Sequence, residues 1–313
     1  HYMAAGSLMY VKGGYTNFID PKTQVAGTTG TGIVSYGQTL TAETDQTVDI
    51  TGAAVVGKLT STHRKLGTAA IRGDSHNTTK FVAGFLDTDG PCVTCHYAKG
   101  DVALGDNGVA DHTLEMGAKT LNGVCINCHG AEAADVAGLQ HFIEEEGAEP
   151  FQATLTLALK VLDTNYNITY NQSAYPYFYD KTANNGAVKD WTRGGALTAA
   201  QAEKLMGAAF NINLLKRDPA AFAHARTYAR RLLYDTIDFL DNKTIDQSVG
   251  ATALASGLTD ATTGNLLFVK DTAAYNNDGA GHITTPFGTT TGPMLYILGW
   301  SRTSGAWNAY ERP

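Results

Sequence analysis

The chain has 313 residues, 43% hydrophobic and 17% charged, so it can bury a core and lacks the low-hydrophobicity, high-charge balance of a disordered sequence. Its 23 basic and 30 acidic residues give a net charge of −7 with no basic run, which excludes the concentrated cationic footprint of a general nucleic-acid binder. No stretch approaches the roughly 20 apolar residues that span a bilayer, and 34 glycines point to a turn-rich, loop-rich architecture.

In chain order, residues 1–60 are rich in Gly and Thr, with short alternating runs such as Ile33-Val34-Ser35-Tyr36 and Val48-Asp49-Ile50-Thr51. These predict brief strands between turns. His1 is not followed by a cationic and then apolar leader, which reads either as no export signal or as one already removed. Residues 61–131 show little periodicity, yet six of the nine histidines and all four cysteines lie between His63 and His141. A segment poor in regular elements and rich in ligands is organised around something other than protein.

Residues 132–245 read as helical. Pro150 suits a first turn ahead of Phe151, Leu155, Ala158, Leu159 and Leu162, which share one face. Thr198 and Gln201 form a capping-box pattern for a helix through Met206, Phe210 and Leu214. Asp218-Pro219 is an N-cap followed by proline at the first helical position, and Phe222, Ala229, Leu233, Ile237 and Leu240 continue it as an apolar stripe. Between the first two helices lies an aromatic cluster, Tyr175-Pro176-Tyr177-Phe178-Tyr179. Residues 246–313 return to Gly, Thr and Asn, with apolar runs at 266–269 and 294–298 that read as strands or packed loops. The tyrosine cluster, Trp300 and Trp307 are candidate contact residues, although core packing is the commoner use of aromatics.

Every thiol falls in one of two identical patterns, Cys92-Val93-Thr94-Cys95-His96 and Cys125-Ile126-Asn127-Cys128-His129. Cys-x-x-Cys-His is the attachment pattern of c-type haem. The cysteines add to the two vinyl groups of one porphyrin, and the adjoining histidine is placed as an axial ligand of the iron. A redox dithiol or a zinc site is the competing reading. Zinc ribbons space their pairs by about 15–20 residues, whereas 29 separate Cys95 from Cys125, and zinc does not require a histidine after both pairs. The pattern therefore predicts two covalent haems c, with Cys92, Cys95, Cys125 and Cys128 as attachment residues and His96 and His129 as proximal ligands. Attachment of haem c outside the cytoplasm implies an exported chain.

The distal ligands are drawn from His1, His63, His76, His112, His141, His224 and His282, or from a methionine such as Met116. His76 lies 16 residues before Cys92 and His112 lies 13 before Cys125, a parallel that favours these two. His224 is the main competitor, because it points about 200° away from the apolar stripe of its helix, at 100° per residue. Imidazole on both faces leaves no open iron position, which favours electron transfer over substrate chemistry and a low potential over a high one. The motifs begin only 33 residues apart, so the haems are expected to be near neighbours rather than centres of separate domains.

Gly73-Asp74-Ser75-His76-Asn77-Thr78-Thr79, Asp87-Thr88-Asp89-Gly90-Pro91-Cys92, Asp111-His112-Thr113-Leu114, Tyr175-Pro176-Tyr177-Phe178-Tyr179 and the run from Phe210 through Ala223-His224-Ala225-Arg226 to Tyr234-Asp235 resemble multihaem c-type cytochromes of dissimilatory metal-reducing bacteria. The resemblance covers residues 60–245. It implies an exported, often extracellular protein that passes electrons to minerals, electrodes or partner cells. Some such proteins polymerise into haem-lined filaments in which a histidine of one subunit ligates a haem of the next; this chain differs from them in having two haem motifs.

The expected fold is α+β and loop-rich, with a strand-rich region 1–60, an irregular dihaem core 61–131, a helical segment 132–245 packed on that core and a loop and strand region 246–313. The expected function is that of an exported dihaem electron carrier, secreted or at the cell surface with the periplasm as the alternative. It is not an enzyme; its partners are redox proteins or extracellular acceptors, with self-association a further option. The competing function is a haem peroxidase or reductase with one open iron.

Overall fold

The computed structural model describes residues 95–96, 115–121, 125, 136–182, 186–191, 195–224, 226–271, 290–301, 306–307 and 311–313. The strand-rich reading of 1–60 lies outside these residues, as do Cys92, Cys128, His129 and the candidate ligands His1, His63, His76, His112 and His282.

A single helical turn, α1 (Ala118–Thr120), is followed by α2 (Val136–Ile143), which runs through a π turn at Glu144–Ala148 into α3 (Glu149–Tyr166). Pro150 sits in the first turn of α3, where its missing N–H removes the bond back to the preceding turn. The run widens just ahead of it, as π turns do where a regular ladder is interrupted. Phe151, Leu155, Ala158 and Leu162 are buried on the face expected of them, and Leu159 packs at its margin. Asn167, in the left-handed region at φ 56°, ends the helix with its N–H on the Asp163 carbonyl.

Three short antiparallel strands follow, β1 (Ile168–Tyr170), β2 (Phe178–Asp180) and β3 (Ala187–Val188), with Tyr170 opposite Phe178 and Tyr179 opposite Val188. This meander divides the aromatic cluster. Phe178 is buried against Tyr170 and Trp191, whereas Tyr175 is 83% exposed. Tyr177 carries the Arg217 guanidinium 4.4 Å above its ring.

Helix α4 (Ala199–Lys216) opens on the capping box predicted for it: the Gln201 N–H donates to Thr198 Oγ1 at 3.2 Å and the Thr198 N–H to Gln201 Oε1 at 3.0 Å. Its core side is formed by Leu205, Ala208, Ala209, Ile212 and Leu215, with Leu214 also buried. Met206 and Phe210 lie on the other side, about half exposed. Beyond Asp218, whose Oδ1 accepts from the Ala220 N–H, come α5 (Ala221–His224) and α6 (Arg226–Asn242). The helix α6 is central, packing against α3, α4 and α5 and against the later α7 (Val249–Ala255) and α8 (Gly292–Ile297). Every residue from Arg231 to Leu240 is buried, so the helix is enclosed on all sides instead of along one stripe.

The apolar run at 294–298 is helical through Ile297, which differs from the strand or loop expected. Pro293 in the first turn of α8 starts a helix that a short apolar run cannot distinguish from a strand. The 266–269 run is a packed loop with one bridge, Thr259 to Leu266, and buried Phe268. Strands β4 (Trp300–Ser301) and β5 (Ala306–Trp307) pair with Trp300 opposite Trp307. Among the described residues, no helix is long and apolar enough to cross a membrane.

Candidate haem-binding site

Cys95 and His96 lie half-buried on a helical turn. The Thr120 hydroxyl, itself buried, donates to the Cys95 carbonyl at 2.6 Å, tying this turn to α1. Leu121 then buries with Leu139 of α2, and Cys125 and Ile143 pack on that small cluster. The chain leading into the second motif is thus in contact with the first.

The His96 and His224 rings are 6.2 Å apart, centroid to centroid, and inclined by 50°. His224 is the last residue of α5, and its Nδ1 lies 2.9 and 3.0 Å from the two carboxylate oxygens of Asp218. A carboxylate accepts, so Nδ1 carries a hydrogen, and in the neutral ring it is Nε2 that keeps the lone pair. Asp218 is 7% and His224 20% exposed at the side chain, so water competes little for this bond. The helix α5 is seated by Phe222, whose ring lies where a Cβ on Gly147 would stand, 2.6 Å away at the closest atom. Only a glycine in the π turn lets α5 approach so closely.

The other described candidates are placed elsewhere. His141 is exposed and pairs through Nε2 with Glu145, one turn on, at 3.1 Å. Met116 is exposed. Of the distal ligands weighed in the sequence, His224 is the one that the described residues bring to a haem motif. Its orientation off the apolar stripe was the signal available; its partner, 128 positions earlier, was not. Bound at such a site, a c-type haem supplies one-electron chemistry, and the half-buried Cys95, His96 and His224 are of the types that hold it.

Asp238, Asp241 and Asp246 also converge, with one oxygen of each within 4.8 Å of the others. Donors within the protein already serve an oxygen of each, although Asp241 Oδ1 is buried without a hydrogen bond among the described residues: Ser248 N–H bonds Asp238 at 2.9 Å, Thr252 Oγ1 bonds Asp241 at 2.7 Å and Ser248 Oγ bonds Asp246 at 2.7 Å. This cluster clasps the loop between α6 and α7.

The chain is 34% identical to C-type polyheme cytochrome OmcC of Geobacter sulfurreducens over 201 residues, 60% of this chain and 23% of the relative. It is 32% identical to C-type polyheme cytochrome OmcB, in two strains of the same species, over 200 residues, 60% of this chain and 24% of the relative. The chain therefore spans about a quarter of the length of these relatives. No protein-family model matches the chain. No solved structure matches it.

Proposed function

Because this chain is related over 60% of its length to C-type polyheme cytochromes, we propose that it is an exported electron carrier with two covalent haems c. The observation that carries this reading is the allotment of all four cysteines to two Cys-x-x-Cys-His motifs. Cys92 and Cys95 attach one haem above His96, and Cys125 and Cys128 attach the other above His129. Distal imidazoles drawn from His76, His112 and His224 close the second face of each iron, so that electrons pass but substrates do not bind. Support for closely spaced haems comes from the Thr120 bond to Cys95 and the packing of Cys125 beside Leu121.

Function at the cell exterior, with redox proteins or extracellular acceptors as partners, is part of the same reading. So is self-association into a haem-lined assembly. Two haems need far fewer than 313 residues, and the surplus suits insulation, docking or subunit contacts.

The test is the holoprotein expressed with haem maturation. Pyridine haemochrome analysis should give two haems c per chain, and the ferrous protein should leave carbon monoxide unbound. Colourless protein containing zinc would remove the haem reading. Ready carbon monoxide binding at one haem would replace the carrier with the peroxidase or reductase alternative. Electron microscopy of native material addresses assembly; a monomer at all concentrations would exclude it.

A further inference from the structure

The geometry points to His224 as the distal ligand of the haem attached at Cys92 and Cys95, with Asp218 as its positioning residue. This assignment rests on the dihaem reading and selects one among its candidate imidazoles. Imidazole to metal bonds run about 2.0–2.1 Å and a ring centroid lies about 1.2 Å behind its ligating nitrogen, so two imidazoles on opposite sides of one iron have centroids roughly 6–6.5 Å apart. The His96 and His224 rings stand at 6.2 Å. Ordinary ring packing also reaches this interval, as between Phe151 and Phe222 at 6.3 Å, so the distance is compatible with a shared iron and the selection of His224 rests on it together with the nitrogen chemistry.

The nitrogen chemistry agrees. Asp218 engages Nδ1 of His224 through both oxygens, which fixes the tautomer with Nε2 as the ligating atom. A carboxylate on the far nitrogen also raises the basicity of a metal-bound imidazole and orients its ring. Asp218 is held in turn by the Ala220 N–H. His224 thus has both a first contact toward the motif histidine and a support behind it, whereas His141 is committed to Glu145 at the surface.

The experiment uses the full-length holoprotein and His224→Ala, His224→Met, Asp218→Asn and, as a control, His141→Ala. Carbon monoxide difference spectra of the ferrous proteins count open irons. His224→Ala should open one haem of two, and added imidazole should close it. A Cys125→Ala/Cys128→Ala background retains only the first haem, and there His224→Ala should open the whole of it. His224→Met should restore six-coordination with a sulfur-to-iron charge-transfer band and a raised potential at one haem. Asp218→Asn keeps an acceptor for Nδ1 but removes its charge, so one potential should rise while carbon monoxide still fails to bind; a purely structural role would leave the potential unmoved. Far-UV circular dichroism matching wild type identifies the variants that fold, and His224→Met serves if His224→Ala does not. Carbon monoxide binding unchanged from wild type in folded His224→Ala, or no new band in His224→Met, overturns the assignment. Absence of covalent haem from the wild-type protein would instead remove the dihaem reading beneath it.

Discussion

Asp238 lies within the enclosed helix α6, yet its carboxylate accepts the N–H groups of Gln247 at 3.1 Å and Ser248 at 2.9 Å. Burial, aided by the charges of Asp235 and Asp241, outweighs these bonds and pushes its carboxyl up to about 7. In the unfolded chain an aspartate titrates near 3.9 or so. Across the interval from about 4 to 7 the folded protein therefore keeps a proton that the unfolded chain has lost, and stability falls as pH rises through that window. Asp241 is shifted in the same direction, chiefly by burial. Asp238→Asn should flatten the slope without abolishing it, as measured by urea unfolding at about pH 5 and pH 7.5; a slope as steep as wild type would show that another group carries it.

At the scale of elements, the approach of α5 to the π turn depends on Gly147, since an added Cβ would stand 2.6 Å from the Phe222 ring. Gly147→Ala should destabilise the fold by about 1–3 kcal/mol through overpacking and, under the proposed ligation by His224, disturb the spectrum of the haem it would hold, because His224 follows Phe222 by two residues. Phe222→Leu should recover part of the loss in the double variant, as read by thermal unfolding; full additivity would separate the two residues. The helices were legible where their signals were local. The Thr198 cap, Pro150 and the Phe151 to Leu162 face act within a few residues and need no partner to be recognised. The exposed Met206 and Phe210 and the burial of α6 on every side from Arg231 to Leu240 were not legible, because a face is chosen by what packs against it. The candidate site divides in the same way. The proposed attachment cysteines and proximal histidines rest on motif spacing alone, whereas the proximity of His224 to His96 is a tertiary fact.

For the molecule as a whole, residues 311–313 tie several elements to α6. Arg312 donates to both oxygens of Asp235 at 2.7 and 2.9 Å in the core, Arg231 donates to the Pro313 carbonyl at 2.8 Å, and Glu311 accepts from Tyr234 and from the Gly250 N–H. Burial and the neighbouring Arg312 push Arg231 down to about 9. Arg312→Met should cost about 3–5 kcal/mol, the usual penalty for leaving one partner of a buried pair uncompensated. Asp235→Leu placed on top should return much of that, as measured by urea unfolding followed in the far ultraviolet; equal instability of single and double variants would mean that packing, not charge, is at stake. The separation of His96 from His224 bears on how such a chain matures. One iron held by both would close a loop of 128 positions, a crosslink that in chain-entropy terms removes about 5 kcal/mol of freedom from the unfolded ensemble. The cofactor would then act as a staple as well as a conductor, and haem attachment would precede, and help to drive, docking of the helical core.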